Sequence, residues 1–376
     1  MLLVKTGFIS RLLSSLALTG AVLAPAGAAR ADTSLENEFD RAFVAPAPAA
    51  AVRPALQPTT RTQTVGQPAG PSKPQRSTPS TVRPFVAYGT PRPSGNGIDA
   101  QLAFAADPSQ GRIGVAAIDL TSGRTVSVLG DTPFPMASTS KIAIAATFLD
   151  GVDKGRFSLD DRFPLMIPVG SKKYSSEAAP VRAGASLPAR ELLELSLIHS
   201  SNPATDALLA AVGGPAAVNR WVKTTGIQGL RIDRSIATLV RDDGEFDPAR
   251  TVDLRDSATP VAMAQLLSGL FQGRWLSTNS RTFLLQTMER CVTGKRRMRA
   301  LLPGDARIAH KTGTLNNTAS DVGIIQAPDG HAYAVAVYVT GQGGHAGRDA
   351  RIASITRTLY TNFEGHDGGS LVYANR

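Results

Sequence analysis

Between residues 45 and 97 the chain is so rich in Pro, Ala, Thr, Ser and Arg that no packed core can form there, and this fixes where a fold can begin. Runs such as Ala45-Pro46-Ala47-Pro48 and Pro71-Ser72-Lys73-Pro74 offer too little apolar surface to offset chain entropy. They read as an extended, partly polyproline linker. Upstream, Lys5 and Arg11 precede a small, apolar stretch over 12–29, and Ala29-Arg30-Ala31 supplies a small-x-small cleavage pattern. That is an export signal, cut after Ala31, and it predicts a secreted, periplasmic protein. Gly20, Pro25 and Gly27 argue against a membrane anchor, and no cysteine near the cut allows lipid attachment. The expected organisation is a signal over 1–31, a linker over 32–97 and a folded domain over 98–376. The chain is 42% hydrophobic, and its folded part is long enough for one sizeable core or two subdomains.

The net charge is +10, yet the densest basic cluster is only Lys295-Arg296-Arg297. No nucleic-acid-binding run stands out. A solvated basic surface is the plain reading, and weak contact with an anionic envelope the sharper one. The single cysteine, Cys291, excludes an internal disulfide and a cysteine-based zinc cluster. It reads as a buried structural residue rather than a thiol nucleophile. The histidines at 199, 310, 331, 345 and 366 lack metal-ligand spacing, and no nucleotide or flavin loop is present, so no metal or cofactor is expected. His310 reads as packing against, or tuning, its neighbour Lys311. The chain is expected to be a monomer.

Hydrophobic patterning predicts a helix over 98–106, strands over 113–119 and 125–129, and a helix over 136–150 with Ser138 in its first turn. Helices follow over 189–200, 203–212, 215–224 and 260–271, several of them started by Pro or a small polar residue. Strands over 308–312, 320–326 and 332–339 precede a helix over 350–363. The pattern is α+β: an antiparallel sheet built from both ends of the domain and packed with helices, plus an all-helical subdomain.

Three short motifs carry chemistry. In Ser138-Thr139-Ser140-Lys141 a serine and a lysine three apart share one helix face. The serine hydroxyl becomes a useful nucleophile only when a base takes its proton, and a lysine with a lowered pKa can be that base. Ser200-Ser201-Asn202 offers a hydroxyl to relay a proton and an amide to hold a carbonyl, although Ser277-Thr278-Asn279 and Ser94-Gly95-Asn96 match equally well and each reads singly as a cap or turn. Lys311-Thr312-Gly313-Thr314 offers a cation, a close-approach glycine and two hydroxyls suited to a carboxylate.

Together these motifs resemble the class A β-lactamases, within the penicillin-recognising serine hydrolases. The flanks extend the resemblance from 98 to 363: Phe134-Pro135-Met136-Ala137 before the nucleophile, Gly213-Gly214-Pro215 after the second motif, and Arg255-Asp256-Ser257-Ala258-Thr259-Pro260 after the omega loop. Ala204 and Leu208-Leu209 favour Ser200 over the other two Ser-x-Asn sites. The resemblance implies a two-subdomain fold with Ser138 as nucleophile, Lys141 as base, Ser200 as proton relay and Lys311 as the second cation. It implies an oxyanion hole from the N–H groups of Ser138 and Thr314, with Asn202, Thr312, Gly313 and Thr314 binding substrate. Tyr174 falls at the cleft edge. Ser320 stands where the family commonly has a carboxylate-binding arginine; Arg297 falls where some members place it instead, and Arg348 is a weaker candidate.

The resemblance breaks in the omega loop. With Arg231-Ile232-Asp233-Arg234 opening the loop, Ile236 stands at the position of the water-activating glutamate and Val240 at that of an asparagine. Arg234 is expected to pair with Asp256. The loop is longer than usual, and Asp242, Asp243 and Glu245 lie in it, so Asp243 or Glu245 is a candidate base for deacylation. The leading expectation is a β-lactamase acting through a Ser138 acyl-enzyme. The alternatives are a D-alanyl-D-alanine peptidase acting on cell-wall peptides, or a penicillin-binding sensor that acylates and releases slowly.

Overall fold

A computed structural model describes residues 83–84, 97–106 and 108–367. The export signal and nearly all of the linker lie outside these residues. Strand β1 (Arg83–Pro84) is followed by helix α1 (Ile98–Ala105), the hairpin β2 (Ile113–Asp119) and β3 (Thr125–Val128), and the short β4 (Phe134–Pro135). A 3₁₀ turn, Ala137–Ser140, leads into α2 (Lys141–Asp153). Strands β5 (Arg162–Pro168) and β6 (Val181–Pro188) pair as a separate hairpin. Helices α3 (Ala189–Ile198), α4 (Asn202–Val212), α5 (Pro215–Thr224) and α6 (Ile236–Arg241) follow, then β7 (Thr251–Val252) and β8 (Ser257–Ala258). Helices α7 (Pro260–Phe271) and α8 (Thr278–Glu289) precede β9 (Arg307–Leu315), β10 (Thr318–Gln326) and β11 (Ala332–Thr340), and α9 (His345–Asp367) closes the domain.

The main sheet has the order β3-β2-β11-β10-β9, with every pair antiparallel. It joins strands from both ends of the domain, as the sequence pattern predicts. Alternation along each strand divides its side chains between two cores. Ala116, Ala334, Ala336 and Tyr338 pack toward α2 and α7, whereas Val115, Val335, Val337 and Val339 pack toward α1 and α9. Strand β9 is the sheet's edge, so one side of its backbone is unpaired within the sheet.

Helix α2 is buried from Lys141 through Gly151, which suits a helix that is apolar on most sides, its buried polar residues being Lys141, Thr147 and Asp150. Phe148 anchors it by stacking on Phe157 at 4.7 Å and meeting Phe163 edge-on at 5.8 Å. Caps set the other helix starts. Thr259 accepts from the Ala262 N–H at α7, and Ser277 accepts from the Ser280 N–H at α8. Ser277-Thr278-Asn279 is therefore a helix cap and not a second catalytic motif.

Several elements were not visible in the sequence pattern, among them the two-residue strands β1, β4, β7 and β8. The β5–β6 hairpin carries Pro164, Pro168 and Pro188, and no tight-turn signal joins its strands. Helices α6 and α8 are short or weakly amphipathic and depend on tertiary packing. The 136–150 helix begins later than predicted, because Ser138 lies in the 3₁₀ turn ahead of α2. Phe148→Ala should remove about 3–5 kcal/mol of stability by leaving a cavity in the stacked cluster, measurable as a shift in urea unfolding. An unchanged midpoint would mean that Phe157 and Phe163 collapse into the gap.

Candidate active site

The 3₁₀ turn at the head of α2 presents Ser138. Ala137, Thr139 and Ser140 are buried, while Ser138 alone in the turn is partly exposed. Local bonds fix the turn: Thr139 Oγ1 donates to Met136 O at 2.7 Å, and Ser140 Oγ donates to Ala137 O at 2.8 Å. Ala137 holds a φ of +48°, a left-handed backbone costly for a residue with a Cβ. The strain sits directly before the nucleophile candidate.

Three elements converge on one buried polar point. Lys141, at the start of α2, donates from Nζ to Ser200 Oγ at 3.1 Å and Asn202 Oδ1 at 2.8 Å, and also to the Ser200 carbonyl. Lys311, on β9, donates from Nζ to Ser200 Oγ at 2.9 Å and to Thr312 O at 3.0 Å. Both lysines are fully buried. The Ser200 hydroxyl thus lies within hydrogen-bond reach of both lysine nitrogens. Ser200 joins α3 to α4 with a φ of +62°, and Ser201 caps α4 by accepting from the Ala204 N–H.

Gly313 allows the edge strand to reach this turn. A Cβ there would lie 2.6 Å from Met136 O and 3.1 Å from the Ala137 Cβ. Contact this close sets β9 against the turn that carries Ser138. On the other face of β9, Thr312 Oγ1 and Thr293 Oγ1 share a hydrogen bond of 2.6 Å. Arg297 donates from Nη2 to Thr314 Oγ1 at 2.7 Å and from Nη1 to the carbonyls of Gly313 and Ser320, both at 3.0 Å. Its Nε pairs with Asp349 at 2.7 Å. Arg297 is buried and aligned with the threonine pair, whereas Arg348 holds Asn317 and Gly341 O at the base of the β9–β10 turn.

The loop 231–256 closes as the sequence predicts: Arg234 Nε donates to Asp256 Oδ2 at 2.6 Å. Burial pushes the Asp256 carboxyl up, against the pull of Arg234. Ile236 opens α6 and is buried. Its N–H and that of Ala237 donate to Asp206 at 2.7 and 2.8 Å. Asp206, four residues after Asn202 on α4, was not singled out from sequence, although that spacing puts the two on one helix face. Burial raises its carboxyl pKa against the two amides and the charge of Lys141.

Asp243 and Glu245 are engaged elsewhere. Asp243 accepts from the Asn316 N–H at 2.9 and 3.0 Å, and burial raises its pKa. Glu245 pairs with Arg255 at 2.6 Å. Both line a cavity with Arg234, Arg255, Leu315 and Asn316, and none of Ser138, Lys141, Ser200 and Lys311 lines it. Among the described residues, no hydrogen bond or ion pair joins either carboxylate to those four, so the structure does not bring the two base candidates to the nucleophile. Tyr174 is 51% exposed, and its N–H donates to Asp242 Oδ1 at 2.8 Å. A Cβ on Gly244 would lie 3.7 Å from Tyr174 Oη and 3.8 Å from Asn316 Nδ2, so the loop touches both.

A sequence model of the β-lactamase enzyme family matches residues 98–363, and the chain belongs to that family. It is 31% identical to the extended-spectrum β-lactamase PER-1 of Pseudomonas aeruginosa, over 60% of this chain and 74% of that protein. It is 30% identical to β-lactamase CTX-M-6 of Salmonella typhimurium, over 64% and 80%. Among solved structures, a β-lactamase from Chitinophaga pinensis DSM 2588 superposes with a TM-score of 0.61 and 31% identity, covering 70% of this chain and 98% of that one. The last common ancestor of Gram-negative bacteria class A β-lactamase (GNCA4) gives 0.61 and 37%, covering 71% and 99%. The antiparallel sheet packed with helices is the class A fold.

Gly313→Ala should displace β9 from the Ser138 turn and lower the rate of labelling by a fluorescent penicillin on the order of 100-fold, the penalty of a misplacement near 1 Å. A wild-type labelling rate would show that the close approach of β9 is dispensable.

Proposed function

We propose that the protein opens β-lactam rings by acyl transfer to Ser138 Oγ and releases the acyl group slowly. The observation that carries this reading is the Ser200 hydroxyl held between Lys141 and Lys311. Lys141, as its neutral amine, takes the Ser138 proton as Oγ adds to the lactam carbonyl, and the oxyanion is met by the N–H groups of Ser138 and Thr314. The C–N bond then breaks. Ser200 donates its proton to the departing ring nitrogen and is re-protonated from the lysine side. Thr312 and Thr314, the latter backed by Arg297, receive the substrate carboxylate, and Asn202 holds an amide carbonyl of the side chain.

Hydrolysis of the acyl-enzyme needs a base beside the ester. Ile236 supplies none, and Asp243 and Glu245 are bound to Asn316 and Arg255. That arrangement supports slow deacylation. The export signal read over 1–31 would put this chemistry in the periplasm, where β-lactams and cell-wall peptides both occur. The basic surface would there meet anionic envelope polymers, with the protein acting as a monomer.

A chromogenic cephalosporin should give a rapid burst of about one equivalent followed by a slow steady state. Ser138→Ala should abolish both phases and all adduct seen by intact mass; survival of either would sink the assignment. Asp243→Ala and Glu245→Ala should leave the adduct lifetime unchanged. A lifetime prolonged about tenfold or more in either variant would identify that residue as the missing base.

A further inference from the structure

Behind β9, on the face turned away from Ser200, lies a second cluster of reactive groups. His310, adjacent to Lys311, is buried, and its Nδ1 bonds Asp321 Oδ1 at 2.8 Å. Asp321 Oδ2 accepts the Met298 N–H at 3.2 Å, which fixes the carboxylate. The other ring nitrogen, Nε2, is also buried and makes no well-formed hydrogen bond; its direct neighbour is the Cys291 thiol. Cys291 Sγ in turn lies 3.2 Å from Thr293 Oγ1, which shares the 2.6 Å bond with Thr312 Oγ1. A line of polar groups therefore runs from Asp321 through His310, Cys291 and Thr293 to Thr312, hydrogen-bonded at every link except His310–Cys291, where the two groups are in contact.

A carboxylate, an imidazole and a thiol in this order form an arrangement that can activate sulfur. Burial works against the charge on His310, yet Asp321 and Cys291 outweigh it and raise its pKa to about 10. Burial works against the thiolate as well, yet His310, Lys311 and Thr293 bring the Cys291 pKa down to about 7. Cys291 follows α8 by two residues and keeps 9% of its surface exposed, so only a small reagent is expected to reach it. The sequence reading of Cys291 as an inert structural residue does not account for these partners.

We propose that Cys291 is a modification site, a thiol activated by His310 and Asp321, whose oxidation by hydrogen peroxide weakens substrate binding at Thr312. The thiolate attacks one peroxide oxygen, the S–O bond forms and the O–O bond breaks. Hydroxide leaves and takes the His310 proton as water. Sulfur loses two electrons and the peroxide gains them. The new S–OH group needs room and partners where Thr293 now sits, and the Thr293–Thr312 bond is the one it displaces. The effect on substrate, though not the thiol chemistry, rests on the assignment of Thr312 to the substrate carboxylate.

Two measurements test this. Native protein at neutral pH should be alkylated at Cys291 by iodoacetamide, seen by peptide mass. His310→Gln should slow that reaction at least about threefold, after the gain in thiolate fraction is set against the lower nucleophilicity of a low-pKa thiol. Peroxide should leave a dimedone-trapped sulfenic acid at Cys291 and lower the rate of fluorescent-penicillin labelling about fivefold, the size of one ordinary hydrogen bond. Dithiothreitol should restore it. Cys291→Ser, which keeps a hydroxyl for Thr293, should label normally and ignore peroxide. Cys291 that reacts only after denaturation, or equally fast in His310→Gln, would overturn the activated thiol. A trapped sulfenic acid with undiminished labelling would overturn its coupling to Thr312. Absence of labelling before peroxide would instead count against the Ser138 reading, with the thiol chemistry still read by mass.

Discussion

Everything in this domain is arranged around two buried lysine side chains that share one hydroxyl. Lys141 comes from α2, Lys311 from the edge strand β9, and Ser200 from the α3–α4 junction. Two buried lysine nitrogens would be strongly disfavoured unless their N–H groups found acceptors. The fold supplies the Ser200 carbonyl and hydroxyl, the Asn202 amide oxygen and the Thr312 carbonyl. Those acceptors come from both the helical part and the sheet. The polar point consequently fixes the docking of one on the other, and it explains a left-handed φ at Ser200, which turns carbonyl and side chain toward the same lysine.

Much of this was legible in the amino-acid order. The β2 strand and the helices over 215–224 and 260–271 fell on their predicted bounds, because alternation, Pro starts and caps act locally. The three motifs marked the residues that meet at Ser200, since each carries a residue type whose chemistry is specific. Other features could not be read. Nothing local distinguishes Asp206 from an ordinary helix carboxylate until α6 lands on it. The β5–β6 hairpin has no turn signature, and its prolines read as loop. The partners of Asp243 and Glu245 lie far away in sequence or depend on the loop's exact course, so spacing alone left both open as bases.

The two faces of β9 divide the labour. Lys311 and Gly313 face the nucleophile turn, while His310, Thr312 and Thr314 belong to the face covered by Cys291, Thr293 and Arg297. Alternation along a single strand thus places the proposed acylation centre and the network behind the proposed carboxylate subsite within one residue of each other. Arg297 illustrates the trade: with Ser320 beside Gly313, the cation reaches Thr314 from a preceding loop, anchored by Asp349 on α9.

The long loop has one more consequence. Asp242 holds the Tyr174 backbone, Asp243 holds that of Asn316, and Gly244 lies against both side chains. The loop is thus a crossbeam between the segment at Tyr174 and the β9–β10 turn. Both attachments are backbone N–H groups held by loop carboxylates, so exchanging the side chain of Tyr174 or Asn316 leaves them in place. Only a change in the beam itself, at Asp242 or Asp243, would release one end.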